Sequence, residues 1–438
     1  MSSKNENNHI DPDTLRSALD YIHDKWRSLE RYEPDSKGTL IGLPYPYIVP
    51  SVRTGSGFTF DEMYYWDSFF MAQALLKTGQ LDMAQGMLEN LLHMAKSFDI
   101  IPNGNRYYFT GRSQPPFLTT YILDVFNQTG DLSWLQESMV IAEYEYSKVW
   151  MGCEQPNWRN VFHGLSRYYD INVVDALAEA ESGWDMTTRF DGHCLSYIPI
   201  DLNSLLYKYE SDFAYAAELS GDRAAANSWK HKAKERRDTI NKYLWNDNKK
   251  FFFDYDYTTG KHSEVWSLAS FYPLWAGLAS ESQAKHLVHH LDKFICEGGL
   301  STTVLGHDPE DPENKFHRQW NYPNGWAPLQ WMVVKGLEKY GYKQEAREIA
   351  HRWLKTNTTY FKHHGIFREA YNVVRPGEPP KAGLYPPQIG FGWSNAVFSD
   401  FAITYTDTGL FWNEDISKNP RRTKRLVKKV KRLLKKRF

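Results

Sequence analysis

Apolar positions recur with the helical period along most of the chain. Spacings of i, i+3, i+4 and i+7 run through 12–30, 61–78, 81–98, 116–129, 131–150, 197–219, 222–245, 264–278, 281–296, 325–341, 343–359 and 391–407, and predict amphipathic helices there. Three stretches open on residues that cap helix N-termini: Asp11 before PDTLRSALDYI, Asp131 before LSWLQESM and Ser280 before ESQAKHLVHHL. Short links such as Thr78-Gly79-Gln80 and Tyr340-Gly341-Tyr342 tie neighbours into antiparallel pairs. Twelve helices in six hairpins predict an all-α fold, a closed (α/α)6 barrel or six-hairpin toroid. One strand pair is expected at 250–265, where FFFDYDY and the segment after Gly260 flank a Thr-Thr-Gly turn.

Between the helices lie long loops at 40–60, 99–115, 151–196, 298–324 and 361–390, polar and rich in Trp, Tyr and Pro. Loops of that length inside a folded domain are commonly functional, and their aromatic content argues against disorder. No Gly/Ser linker divides the chain. Residues 1–412 are therefore expected to form one catalytic domain, followed by a tail at 413–438.

Composition adds few restrictions. The 438 residues are 42% apolar, and no run of about 18 apolar residues suggests a membrane span. The opening MSSKNENNHIDPD lacks a secretion-signal pattern, so a cytoplasmic protein is expected, as a monomer. Cys153, Cys194 and Cys296 lie far apart and fit neither a disulfide framework nor a zinc spacing. The formal net charge of −1 is uneven: residues 421–438 carry eleven Lys and Arg and no acid, which leaves −12 for residues 1–420. An acidic body repels phosphate, so nucleic acid is not an expected partner. In the tail, Leu426, Val427, Val430, Leu433, Leu434 and Phe438 fall at helical spacing opposite the cations. That is the profile of a basic amphipathic helix in peripheral contact with an anionic membrane. Docking onto the acidic body and a disordered solubilising end are the alternatives.

The candidate chemistry sits in the loops. Phe60-Asp61-Glu62-Met63-Tyr64-Tyr65-Trp66-Asp67 leads into a helix. Ile101-Pro102-Asn103-Gly104-Asn105-Arg106 is followed by Arg112-Ser113-Gln114-Pro115-Pro116. Glu181-Ser182-Gly183-Trp184-Asp185 comes next, and then Gln319-Trp320-Asn321-Tyr322-Pro323-Asn324-Gly325-Trp326, Arg368-Glu369-Ala370-Tyr371 and Gly390-Phe391-Gly392-Trp393. Each places carboxylates, amides or Arg beside aromatic rings. Glycosidic bond cleavage uses that set: one carboxylic acid to protonate the leaving oxygen, one carboxylate to activate water or attack, and rings with polar forks to hold the sugar. A single acid beside a Trp is ordinarily a solvated side chain next to a packed ring. The joint pattern is what points to an active site.

These segments resemble the signature motifs of the trehalases, glycoside hydrolase family 37, in order from about Leu43 to Trp393. The resemblance implies an (α/α)6 barrel, no metal or other cofactor, a small α-glucoside as substrate, and inversion at the anomeric carbon. It assigns the general acid to Asp185 and the general base to Glu369. Phe60, Trp66, Asp67, Asn103, Arg112, Ser113, Gln114, Gly183 and Trp320 match its sugar-binding positions. An inverting pair stands about 6.5–9.5 Å apart to admit a water. Asp185 is expected to hold its proton near neutrality, with Asp67 a candidate for the charge that raises its pKa. Glu369 is expected to stay ionised, with Arg368 a candidate helper.

Three departures from the family pattern stand out, two of them on groups that the family uses for the other half of the substrate. Thr59 stands where the family has an Arg, with Arg53 nearby in sequence. The Arg-Pro-Glu-Ser stretch that precedes the SGWD motif is missing between Leu165-Ser166-Arg167-Tyr168-Tyr169-Asp170 and Glu181. Leu384-Tyr385-Pro386 has Leu in place of a Glu, and the loop before it, Arg375 to Gly383, is Pro-rich instead of Gly-rich. Hydrolysis of trehalose to glucose is the leading expectation. A related glucoside such as glucosylglycerate or glucosylglycerol is the alternative, with Arg167 or Lys381 available to an acidic leaving group, and a non-catalytic sugar-binding protein is a further one.

Overall fold

The computed structural model describes residues 10–51, 59–306, 318–381, 383, 385 and 387–407. The tail at 413–438, Arg53 and Leu384 lie outside the described residues. Thirteen α-helices are present among those described. They are α1 (Pro12–Leu29), α2 (Tyr65–Lys77), α3 (Leu81–Phe98), α4 (Leu118–Thr129), α5 (Leu132–Glu145), α6 (Asp175–Glu181) and α7 (Ile200–Ser220). The others are α8 (Arg223–Tyr243), α9 (Tyr272–Ala276), α10 (Glu281–His290), α11 (Ala327–Lys339), α12 (Lys343–His364) and α13 (Gly392–Tyr405).

Six of them close a ring: α2 packs on α4, α4 on α7, α7 on α9, α9 on α11, α11 on α13, and α13 on α2 again. Helices α1, α3, α5, α8, α10 and α12 lie outside it, which makes the (α/α)6 barrel. The two rings differ in sequence because they differ in surroundings. Inner helices face core or cavity on nearly every side: from Tyr65 to Ala72 every residue of α2 is buried, and α13 is buried at all positions from Gly392 to Ala402. Outer helices bury one stripe. In α8 that stripe is Ala226, Trp229, Ala233, Arg236 and Ile240, at the spacing of one helical face.

The three sequence-read caps are formed. Asp131 accepts from the Trp134 amide at 3.2 Å, Asp11 accepts from the Asp13 amide at 3.3 Å, and Ser280 and Gln283 make a reciprocal capping box. At Gly130-Asp131 and Gly221-Asp222 one helix ends on a glycine in left-handed backbone (φ 66° and 81°) and the next begins at the adjoining Asp cap. Five of the pairs are contiguous in sequence. The sixth joins the two ends of the described chain: α1 packs against α12 and α13. Two stretches read as full helices are shorter. In 264–278 a 3-10 turn (Leu268–Phe271) precedes the five-residue α9, and in 281–296 α10 stops at His290 before a 3-10 turn. The short α6 inside the 151–196 loop has no counterpart in the apolar periodicity.

The 250–265 region is more folded than a hairpin. Tyr255–Asp256 pairs with Lys261–His262 around the Thr-Thr-Gly turn, and Tyr197–Ile198 adds a third strand on the other side. Phe251–Phe252 turns back instead onto Trp245–Asn246, because the Asn246 side chain accepts from the Asn248 and Lys249 amides and closes a tight turn. Another pair matters more for the site. Asn324–Trp326 pairs antiparallel with Ala370–Asn372, which fixes Glu369 at the edge of the Trp326 ladder.

Candidate active site

A cavity of about 490 Å3 opens at one end of the inner ring. Every sequence-predicted site residue lines it except Ser113: Phe60, Trp66, Asp67, Asn103, Arg112, Gln114, Gly183, Asp185, Trp320 and Glu369. Ser113 is fully buried behind it. Its amide donates to Glu181 at 2.7 Å, its hydroxyl to the Ile101 carbonyl at 2.7 Å, and its carbonyl accepts from the Asn103 side chain at 3.2 Å. Its polar groups hold the loop that carries Asn103, and none faces the cavity.

The floor is an aromatic block. Trp320 stacks on Trp326 at 3.9 Å between centroids and on Trp184 at 5.6 Å, while Trp66 and Trp393 meet edge to face at 5.7 Å. Gly183 is required there: its φ is +75°, and a Cβ at that place would stand 2.6 Å from the Trp66 ring. Trp66 and Asp67 occupy the first turn of α2, whose Trp66 amide donates to the Gln114 side-chain oxygen at 3.1 Å. Behind Trp184 the Arg189 guanidinium lies 4.3 Å from its ring and is bound by Asp201 and Asp254, all three buried. That charge is fully paired, as a buried charge must be.

Glu369 is 1% exposed. Its carboxylate accepts from the Tyr385 hydroxyl at 2.8 Å and the Gln388 amide at 3.0 Å. Its backbone is pinned as well, because its carbonyl accepts from the Trp393 indole at 3.0 Å and its amide donates to the Gln388 carbonyl at 2.9 Å. Asp185 is half-buried, and its carbonyl accepts from the Gln319 side chain at 2.7 Å.

Burial raises the pKa of both carboxyl groups. Asp185 is pushed up to about 6 against the pull of the Arg112 charge. Glu369 is pushed up to about 7, with the Gln388 amide and Tyr385 hydroxyl holding it down and the Asp185 charge adding to the rise. Their order is the reverse of the sequence expectation. The reason is that Glu369 is the more enclosed of the two and Arg112 stands by Asp185. Asp67 does not act as the expected source of Asp185's shift. It is itself held well above the carboxylate range, by burial and then by Glu369 and Asp185. Two groups so close in pKa titrate as a pair across about pH 6–7.

Other expectations resolve by orientation. Arg368 turns its guanidinium over the Tyr360 ring at 4.6 Å and does not line the cavity. Arg167 donates to the Trp158 and Asn157 carbonyls and to the Tyr257 hydroxyl, and Lys381 also lies outside the lining. Thr59 does line the cavity, hydrogen-bonded to Ser51 at 3.3 Å. Residues that sequence reasoning left unassigned complete the wall: Glu62, Tyr64, Tyr108, Phe109, Ala180, Tyr385, Phe391 and Trp393. Glu62 and Trp393 lay within quoted motifs without an assigned role. Tyr385 carried no local signal, since it reaches Glu369 from a loop sixteen residues on.

Among the described residues no group of three or more His, Cys, Asp or Glu could hold a metal ion, and no helix is long and apolar enough to cross a membrane. Two carboxyl groups, an aromatic floor and a hydroxyl-binding wall can seat a sugar ring and move protons on either side of it.

Comparison with known proteins agrees with that chemistry. The family model described as Trehalase matches residues 2–177 and 157–406. The chain is 32% identical to the cytosolic neutral trehalase of Kluyveromyces lactis over 89% of its length, and 33% identical to a probable trehalase of Eremothecium gossypii over 85%. It spans 60% of the length of each of these relatives. Among solved structures it is similar to the neutral trehalase of Saccharomyces cerevisiae, with a TM-score of 0.73 and 31% identity over 83% of this chain and 74% of that one. A mannosylglycerate hydrolase of Thermus thermophilus has the same fold, with a TM-score of 0.63 at 17% identity over 88% of this chain and 99% of that one.

Proposed function

The chain belongs to the trehalase family, and from that premise we propose that it hydrolyses trehalose to glucose with inversion, Asp185 acting as general acid and Glu369 as general base. The observation that carries the reading is that these two carboxyl groups face one cavity above a Trp floor, both with pKa values drawn toward neutrality. Asp185 delivers its proton to the glycosidic oxygen as that bond breaks. Glu369 takes a proton from water as the water attacks the anomeric carbon from the opposite face. Trp66, Asp67, Asn103 and Gln114 hold the attacked ring, and Trp320 stacks behind it. The productive arrangement has the shared proton on Asp185 and the charge on Glu369, so the rate is greatest between the two pKa values, about 6 and about 7.

In the same reading residues 1–412 are the catalytic unit and 413–438 a tail. A cytosolic setting rests on the name of the Kluyveromyces lactis relative. A neutral glucoside such as glucosylglycerol is the second substrate to try, because Thr59 supplies a smaller group than the family's Arg in the cavity wall.

Proton NMR on trehalose tests the mechanism directly. Both anomeric centres begin as α, so inversion releases α- and β-glucose in equal amounts before mutarotation. Release of α-glucose alone would identify retention and reject the acid–base assignment.

A further inference from the structure

We propose that Asp170 sets leaving-group selectivity, by neutralising Arg112 so that the second half of the cavity takes a neutral, polyhydroxylated leaving group and turns away an anionic one. The inference rests on the reading of this site as a glucosidase and adds a residue that no motif supplied.

Arg112 is the cation of the cavity lining among the described residues. It stands on the side of Tyr108 and Phe109, its guanidinium 5.0 Å from the Phe109 ring. It is not available as a free charge. Its Nη1 donates to Asp170 Oδ2 at 3.2 Å, with side chains 14% and 1% exposed. Asp170 is fixed for that contact. Its Oδ1 accepts from the Asn172 amide at 2.8 Å and the Asn172 side chain at 2.7 Å, and the Ile171 amide donates to the Gly111 carbonyl at 3.1 Å. The turn ends on Val173 at φ +56°, a conformation a β-branched residue adopts only when its surroundings impose it.

The cation behind Glu62 is engaged in the same way. Arg106 Nε donates to Glu62 Oε1 at 2.7 Å, and Glu62 accepts from the Tyr64 hydroxyl at 3.2 Å. The cavity thus presents four carboxyl groups, Glu62, Asp67, Asp185 and Glu369, and one cation with its own buried counter-ion. With Glu62 paired to Arg106, Asp67 held well above the carboxylate range and the proton on Asp185, an anionic leaving group would meet the charge of Glu369 and no unneutralised cation to receive it. A hydroxylated one meets acceptors at Glu62 and donors at Tyr108 and Arg112. Asp170 acts here as a positioning and screening residue, through Arg112.

The test is kcat/KM for trehalose, glucosylglycerol and glucosylglycerate, measured on the full chain and on Asp170→Asn and Asp170→Glu. The wild type is expected to favour both neutral substrates. Asp170→Asn should raise the anionic-to-neutral ratio on the order of tenfold, and Asp170→Glu should restore the low ratio. Raising the salt to screen the cavity should move the wild-type ratio in the same direction as Asp170→Asn, and this arm decides the matter if that variant does not fold. A wild type that cleaves glucosylglycerate as well as the neutral substrates would overturn the inference, as would a folded Asp170→Asn with an unchanged ratio. A folded wild type that cleaves none of the three refutes the glucosidase reading instead.

Discussion

The floor and the mouth of the cavity are built by opposite means. The floor holds its groups by packing and main-chain bonds: Trp320 between Trp326 and Trp184, Gly183 against Trp66, and Glu369 tied at its amide, its carbonyl and both carboxylate oxygens. The mouth holds its groups by ion pairs on loops, Arg112 with Asp170 and Arg106 with Glu62, beside the exposed Tyr108. Packing that fixes position to a fraction of an ångström suits proton transfer, where small misplacements are costly. Ion pairs beside the opening bias which molecule enters. The floor is therefore expected to control turnover and the mouth to control selection.

Five substitutions sharpen or break that division. Asp185→Asn and Glu369→Gln should each lower kcat by about a thousandfold, within the range for losing a general acid or base, while circular dichroism stays that of the wild type. Residual activity near the wild-type level in both would end the assignment. Gly183→Ala touches no proton, yet its Cβ would meet the Trp66 ring in left-handed backbone. A loss of about 2–3 kcal/mol in stability and about a hundredfold in kcat is expected, read by thermal melting and steady-state kinetics.

Tyr385→Phe removes a donor from the Glu369 carboxylate. The charged form loses a hydrogen bond, so the pKa of Glu369, the upper of the two, rises; the plateau of the pH–rate profile falls and its basic limb moves to higher pH. At pH 6 the rate should fall by about tenfold, as expected for the loss of one hydrogen bond to a charged group. An unmoved basic limb with an unchanged plateau would separate Tyr385 from the base. Smallest of all, Arg368→Gln should leave kcat within about twofold, since exposed or outward-facing substitutions rarely reach the chemistry. Its guanidinium lies over Tyr360 and not in the cavity. A large drop in kcat would show that packing behind Glu369 matters as much as contact with it.

Much of the barrel was legible because inner and outer helices carry different patterns. The stripe of α8 and the caps at Asp131 and Ser280 are local signals, and they stand where expected. The closure of α1 on α13 is not a local signal, and neither is the pairing of Phe251–Phe252 with Trp245–Asn246. The cavity residues were legible as motif members, since each motif supplies a contiguous wall. What sequence could not supply was direction. Ser113 and Gln114 are neighbours, yet one braces the loop and the other lines the cavity. Arg368 and Glu369 likewise part company, as adjacent residues in an extended segment must. Tyr385 was not legible because its partner Glu369 stands sixteen residues earlier, just before the strand Ala370–Asn372, and only the fold brings the two together.

The sixth pair of the ring has a consequence for how the molecule is made. Among the described helices α1 is translated before the rest, and its buried face, Leu15, Ala18, Leu19, Ile22 and Trp26, belongs to the helix that packs on α12 and α13. Those are the last helices described in the chain. While the ten helices between them are made, an apolar stripe waits for partners that have not been translated, the circumstance in which chains attract chaperones or one another. A ring seamless in space carries a seam in time, and errors of biogenesis are expected to concentrate there.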